Sequence, residues 1–126
     1  MSSPSLGRVQ LMIMQILWER ASATAREITE AINQKEACAH STVQTLLRGL
    51  EEKGAVRHES QDRTFVFYPL VKEHEFKRGA TRDVLERVFG GSVSGLVAHL
   101  LKEENVSREE IEEIRKLINQ RMRKPQ

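Results

Sequence analysis

A chain of 126 residues makes one domain, or a small domain with an appendage, and no apolar run in it approaches the roughly 18 residues a membrane-spanning helix needs. A single cysteine excludes an internal disulfide, and no basic stretch leads into an apolar core at the N-terminus, so a soluble cytoplasmic protein without membrane insertion is expected. The net charge is +2, with eight Lys/Arg against eight Asp/Glu in residues 1–70 and twelve against ten in residues 71–126, so neither half is basic in bulk and any case for nucleic acid rests on where the charges sit.

Residues 1–6 are small and polar, with a proline, and read as a frayed arm. From about Arg8 to Arg20 a helix is expected, with Val9, Met12, Ile13, Ile16 and Leu17 on one face and Leu11, Met14 and Trp18 on a second. A helix apolar over most of its circumference needs cover on two sides. Glu19 to Ala23 reads as a connection. Thr24 and Glu27 then form a capping box for a second helix that points Ala25, Ile28, Ala31 and Ile32 inward.

After a polar turn from Asn33 to His40, the stretch Ser41 to Gly54 predicts a third helix. Ser41 and Gln44 have capping-box spacing, Val43, Leu46, Leu47 and Leu50 share one face, and Gly54 suits the exit. The opposite face holds Ser41, Gln44, Thr45 and Arg48, at i, i+3, i+4 and i+7, with Thr42 beside them. Hydroxyls, an amide and a guanidinium are the groups that read base edges and grip phosphates in a major groove.

The period then changes from 3.6 to 2. Ala55 to Glu59 and Thr64 to Tyr68 read as two strands, joined by the polar tip Ser60 to Arg63 and stopped by Pro69. Three helices followed by a two-stranded hairpin give the order of a winged helix-turn-helix, mainly α with a small β-hairpin wing. The third helix of such a fold enters the major groove and the wing lies along the backbone. Arg57, His58 and Arg63 fall on or near that wing, where cations meet phosphates.

Residues 71–126 read as a three-helix unit, which sets a winged-helix domain at 1–70 beside a helical domain at 71–126. Phe76, Ala80, Val84 and Val88 repeat from about Lys72 to Phe89, and Gly90-Gly91 stops that helix. Val93, Leu96, Val97, Leu100 and Leu101 define a shorter one. Ser107 with Glu110 caps a last helix that turns Ile111, Ile114, Leu117, Ile118 and Met122 inward. Three short helices with broad apolar faces are marginal alone, so these ten residues are the candidate interface with a second copy. A two-fold dimer suits a pseudo-palindromic operator.

The stretch Ser41 to Gly54, the helix ending Ile16-Leu17-Trp18, the strand running from Arg63 to Leu70 and the turn from Phe89 to Val97 resemble the penicillinase-repressor (BlaI/MecI/CopY) family over almost the whole chain. The resemblance implies a bacterial-type transcription regulator: a cytoplasmic, homodimeric repressor of operator DNA, with an N-terminal winged helix and a C-terminal dimerisation domain. It also marks three departures. Members usually carry Arg just before the leucine that closes the recognition helix, where this chain has Gly49, and Arg48 points about 100° away. The cysteine cluster of the copper-responsive branch is missing from the C-terminus. In the β-lactam-responsive branch, for which a membrane sensor-protease is a further partner, a regulatory cut falls at a pair matched here by His99-Leu100.

Enzymatic readings are weaker. Cys38 and His40 lack a third orienting group and an oxyanion turn, so a surface thiol is expected. His40, His58, His74 and His99 share no metal-ligand spacing, and no metal or cofactor is expected. Glu109, Glu110, Glu112 and Glu113 sit in the first turns of a helix, where its dipole favours carboxylates. Two rival functions stand beside the repressor: a winged-helix adaptor that docks a protein without DNA, and a small thiol enzyme at Cys38.

Overall fold

A computed structural model describes residues 6–124, so most of the polar arm expected at the N-terminus lies outside the described residues. The order is α1 (Arg8–Arg20), β1 (Ala23–Thr24), α2 (Ala25–Asn33), α3 (His40–Glu52), β2 (Val56–Gln61), β3 (Thr64–Pro69), α4 (Glu73–Phe89), α5 (Val93–Glu103) and α6 (Arg108–Arg123). By its packing the chain divides into two compact units that part between Arg82 and Asp83.

In the first unit, helix periodicity translates directly into burial. Ile13, Met14 and Leu17 of α1, Ile28 and Ile32 of α2, and Val43, Leu47 and Leu50 of α3 are all at most 1% exposed, and Val56 and Phe67 close the core from the sheet. The second face of α1 is covered as its composition requires. Trp18 packs partly against the core, its indole Nε1–H donates to the Val71 carbonyl at 2.7 Å, and its ring lies 5.6 Å from Phe76.

Helix ends show which local signals survive in three dimensions. Thr24 accepts the Glu27 N–H at 3.1 Å and Glu27 accepts the Thr24 N–H at 2.8 Å, the reciprocal cap that their spacing predicts. The cap predicted at Ser41 is not formed. The helix begins at His40, and Ala39 stands at the cap with no side-chain bond. Asn33 explains the earlier start: its side chain takes the Cys38 N–H at 3.1 Å and donates to the Cys38 carbonyl at 2.8 Å. A local side-chain clamp across the turn, not the serine, sets where α3 begins. At the other end, Gly54 at φ 79° lets the Ala55 N–H return to the Leu50 carbonyl (2.9 Å) and its own N–H to Glu51 (3.0 Å). This double return is the glycine-dependent helix stop.

The sheet has three antiparallel strands in the order β1-β3-β2, one more than the sequence predicts. Ala23, expected to be connection, and Thr24, expected as the cap of α2, pair with Phe67 and Val66. The wing is also longer and its tip tighter than predicted, because Gln61 pairs with Thr64 and leaves Asp62-Arg63 as the loop. Both loop residues have positive φ, 51° and 67°, as a two-residue type I′ hairpin demands.

In the second unit, Ser92 caps α5 through the Gly95 N–H (2.9 Å) and Ser107 caps α6 through the Glu110 N–H (3.1 Å). Gly90 and Gly91, both at positive φ, end α4. The inward apolar face expected for α6 is not covered within one chain. Ile114 is half-buried, while Ile111, Leu117, Ile118 and Met122 are exposed, and Met122 reaches 80%. On α5, Leu96 and Val97 are half-buried, and Val93, Leu100 and Leu101 are exposed. Three helices of this length cannot enclose their own apolar surface. On α4, Val84 and Val88 are likewise open, and Leu85 is buried instead. Among the described residues, no single helix is long and apolar enough to cross a membrane.

Candidate nucleic-acid interface

Helix α3 buries Val43, Leu47 and Leu50 and therefore presents its opposite side outward. Ser41, Thr42, Gln44, Thr45 and Arg48 are all exposed there. A cleft of about 930 Å³ opens beside this face, between the start of α2, α3 and the wing. Of the residues expected to bind DNA, it brings together Gln44, Arg48, His58 and Arg63. Ser41 and Thr45 follow Arg48 around the outer face, and Thr42 lies about 100° from Ser41, on the flank toward α1.

The wing cations divide between two sides of the sheet. His58 faces the cleft, and its neighbour Arg57 points the other way, as alternation along a strand requires. Arg57 is held there by Glu59, at 2.9 Å, and by stacking 4.3 Å over the Tyr68 ring, its cross-strand partner. His58 is held as well. Both Glu51 oxygens lie 2.8 Å from its Nδ1, which donates because a carboxylate only accepts. Its ring stacks on Phe65 at 4.1 Å. His58 thus braces the wing against α3, and Arg63 occupies the tip.

Among the other residues that line the cleft are Arg26, Thr29 and Glu30 of α2, Glu51 of α3 and Phe65 of β3, none of them singled out from the sequence as a DNA contact. Arg26 is paired only loosely with Glu30, at 3.9 Å with both side chains mostly exposed. Thr29 donates to the Ala25 carbonyl (2.7 Å) and meets His40 Nδ1 at 3.1 Å, fixing the start of α3 against α2. Arg26 and Thr29 fall off the apolar face of Ala25, Ile28, Ala31 and Ile32, on the helix that precedes α3.

Gly49 lies away from this cleft. A Cβ added there would meet Gln10 of α1 at 3.6 Å, an ordinary contact, so the position has room for a methyl group. At the same edge of the molecule Arg8 pairs with Glu36, joining the start of α1 to the α2–α3 turn. The hydrogen bond from Arg8 holds the Glu36 carboxyl below the usual glutamate range, against the desolvation that raises it, and the Arg8 charge adds to the lowering. Cys38 is half-buried against the core edge, less open than the surface thiol expected. Among the described residues, no cluster of three or more His, Cys, Asp or Glu could hold a metal ion.

Comparison with known proteins places this geometry in context. A model described as penicillinase repressor matches residues 6–120. The methicillin resistance regulatory protein MecI of Staphylococcus aureus (strain N315) is 29% identical over 109 residues, covering 86% of this chain and 89% of that one. The penicillinase repressor of Bacillus licheniformis is 26% identical over 117 residues, 93% of this chain and 91% of its own. Among solved structures, the DNA-binding domain of the repressor BlaI matches with a TM-score of 0.52 and 28% identity, covering 60% of this chain and 93% of that one. The monomeric form of Bacillus licheniformis BlaI in complex with the blaP half-operator matches with the same values.

Proposed function

The chain belongs to the penicillinase-repressor family, and from that premise we propose that it is a transcriptional repressor that binds operator DNA in the cytoplasm as a homodimer. One observation carries the reading: Gln44 and Arg48 of an outward-facing α3 share a cleft with Arg63 at the tip of the wing. Side chains that read base edges and side chains that neutralise phosphates thus converge on one surface. The relative solved with a half-operator supports the same assignment.

In this reading α3 enters the major groove. Gln44 and Arg48, with Ser41 and Thr45 flanking, address the bases and nearby phosphates. Arg63 meets the backbone, and Arg26 is placed to meet it from the other side of the cleft. Residues 71–126 supply the dimer contacts, which the exposed Val93, Leu100, Leu101, Ile111, Leu117, Ile118 and Met122 favour. Two copies place two recognition helices at multiples of about 10 bp along one face of the duplex. The bound dimer occludes a promoter, and an event in the dimerisation region releases it. Proteolysis near His99-Leu100, by a membrane sensor-protease, is one form of that event.

Footprinting on the region upstream of the protein's own gene, at two salt concentrations, tests the reading. A protected, roughly two-fold symmetric segment whose occupancy falls steeply with salt is expected. Absence of salt-dependent binding to any duplex would reject it in favour of a protein-docking adaptor.

A further inference from the structure

In the first unit, two large apolar side chains among the described residues are left exposed: Phe65 at 52% and Leu70 at 51%. Phe67, on the same face of β3, is 7% exposed and belongs to the core. The two rings meet edge-on at 6.5 Å, so this strand face starts in the core and ends in the open at Phe65. What Phe65 opens onto is the cleft that also holds Gln44, Arg48 and Arg63. Its position there is set from α3: Glu51 holds His58, and His58 stacks on the Phe65 ring.

We infer that Phe65 is a further DNA-binding residue, which lays its ring on an apolar CH surface of the duplex, a deoxyribose edge or a thymine methyl. The inference rests on the DNA-binding reading above and deepens it. Arg26, Arg48 and Arg63, which line the cleft together with Glu30 and Glu51, bring phosphates to it, and between successive phosphates a duplex offers sugar CH groups and, in the groove, thymine methyls. A half-exposed phenylalanine has apolar area left to bury against that surface, and burial is favourable in proportion to the area removed from water. His58 is the positioning residue that keeps the ring in place.

The test uses the full-length protein, the duplex fragment protected upstream of its own gene, and a random duplex of equal length. Phe65→Ala should raise Kd for the protected fragment by about tenfold while leaving the salt slope unchanged, because no charge is lost. Arg63→Ala should lower that slope by about one. Phe65→Leu should recover most of the loss, and Phe65→Gln, similar in length but polar, should not. These two variants carry the test if alanine loosens the wing. His58→Ala should weaken binding in the native background and add nothing once Phe65 is alanine. Replacing thymine by deoxyuridine in the fragment identifies the surface: the Phe65→Ala effect shrinks for a methyl contact and persists for a sugar contact. Native-like affinity of the alanine and glutamine variants, or a reduced salt slope for both, would overturn the inference while leaving DNA binding intact. Failure of the native protein to bind any duplex would instead remove the reading beneath it.

Discussion

Arg48 and Arg63 carry the same guanidinium in different mechanical settings. Arg48 projects from a helix anchored by three buried residues, whereas Arg63 sits in a two-residue loop. If the first meets a base edge, Arg48→Ala should cost about 1–3 kcal/mol and relax preference at one operator position. Arg63→Ala should weaken operator and random DNA alike, which parallel titrations on both duplexes would separate. Glu36 makes a different residue-scale prediction. Its folded-state pKa is depressed by Arg8, so the stabilisation is present above the ordinary glutamate value and is lost as pH falls through the lower folded value. Arg8→Gln should therefore flatten the acid limb of stability between pH 7 and 3, read from urea midpoints. An unchanged limb would mean the pair does not matter to folding.

At the scale of elements, α3 has one inefficiency. Gly49 stands mid-helix at an ordinary backbone angle with room for a Cβ, so Gly49→Ala should stabilise the fold by about 0.5–1 kcal/mol and leave operator affinity unchanged. Thermal melts and a titration check both halves. Elements with long periodic faces were legible from residues alone: α1, α2 and α3 bury Ile13, Leu17, Ile28, Ile32, Val43, Leu47 and Leu50 from the faces expected, while Val9, Met12, Ile16, Ala25, Ala31 and Leu46 are half-buried and Met14, expected on the second face of α1, is in the core. Signals of two to four residues were not. β1 has only Ala23 and Thr24, too short for any period, and exists because β3 offers it an edge. The Ser41 cap matched a pattern that the Asn33 clamp overrode. The wing tip read as four residues because Ser60 and Gln61 are polar, yet edge-strand residues facing solvent are polar too. At the candidate site, the exposure of Ser41, Gln44, Thr45 and Arg48 on α3 was legible from helical spacing. Phe65 was not, since its aromatic and β-branched neighbours made it look like one more sheet residue, and only the fold shows it outside the core.

For the whole molecule, the exposed apolar residues of α5 and α6 argue for a second copy. Burying each such side chain is worth roughly 1.5–3 kcal/mol, so leaving the set in water is costly. Sedimentation at micromolar concentration should give a dimer, and Ile114→Glu should give a folded monomer with far weaker operator binding, because a carboxylate would be buried without a partner. A 14.5 kDa monomer that binds tightly would contradict this. Where the DNA-binding unit ends also matters. A fragment stopping at Leu70 loses the Val71 acceptor and the Phe76 ring that cover Trp18, whereas one stopping at Arg82 keeps both. The shorter fragment should be less stable by about 1–3 kcal/mol, measured by chemical denaturation of the two side by side. Trp18 is also the chain's single tryptophan. Its fluorescence therefore has one source, an indole whose N–H is tied to Val71 and whose ring rests near Phe76. Anything that lifts the start of α4 from α1 lets water reach that ring and moves its emission to the red. The molecule thus carries an unlabelled optical gauge of this one joint, readable during a titration with DNA or a digestion with protease.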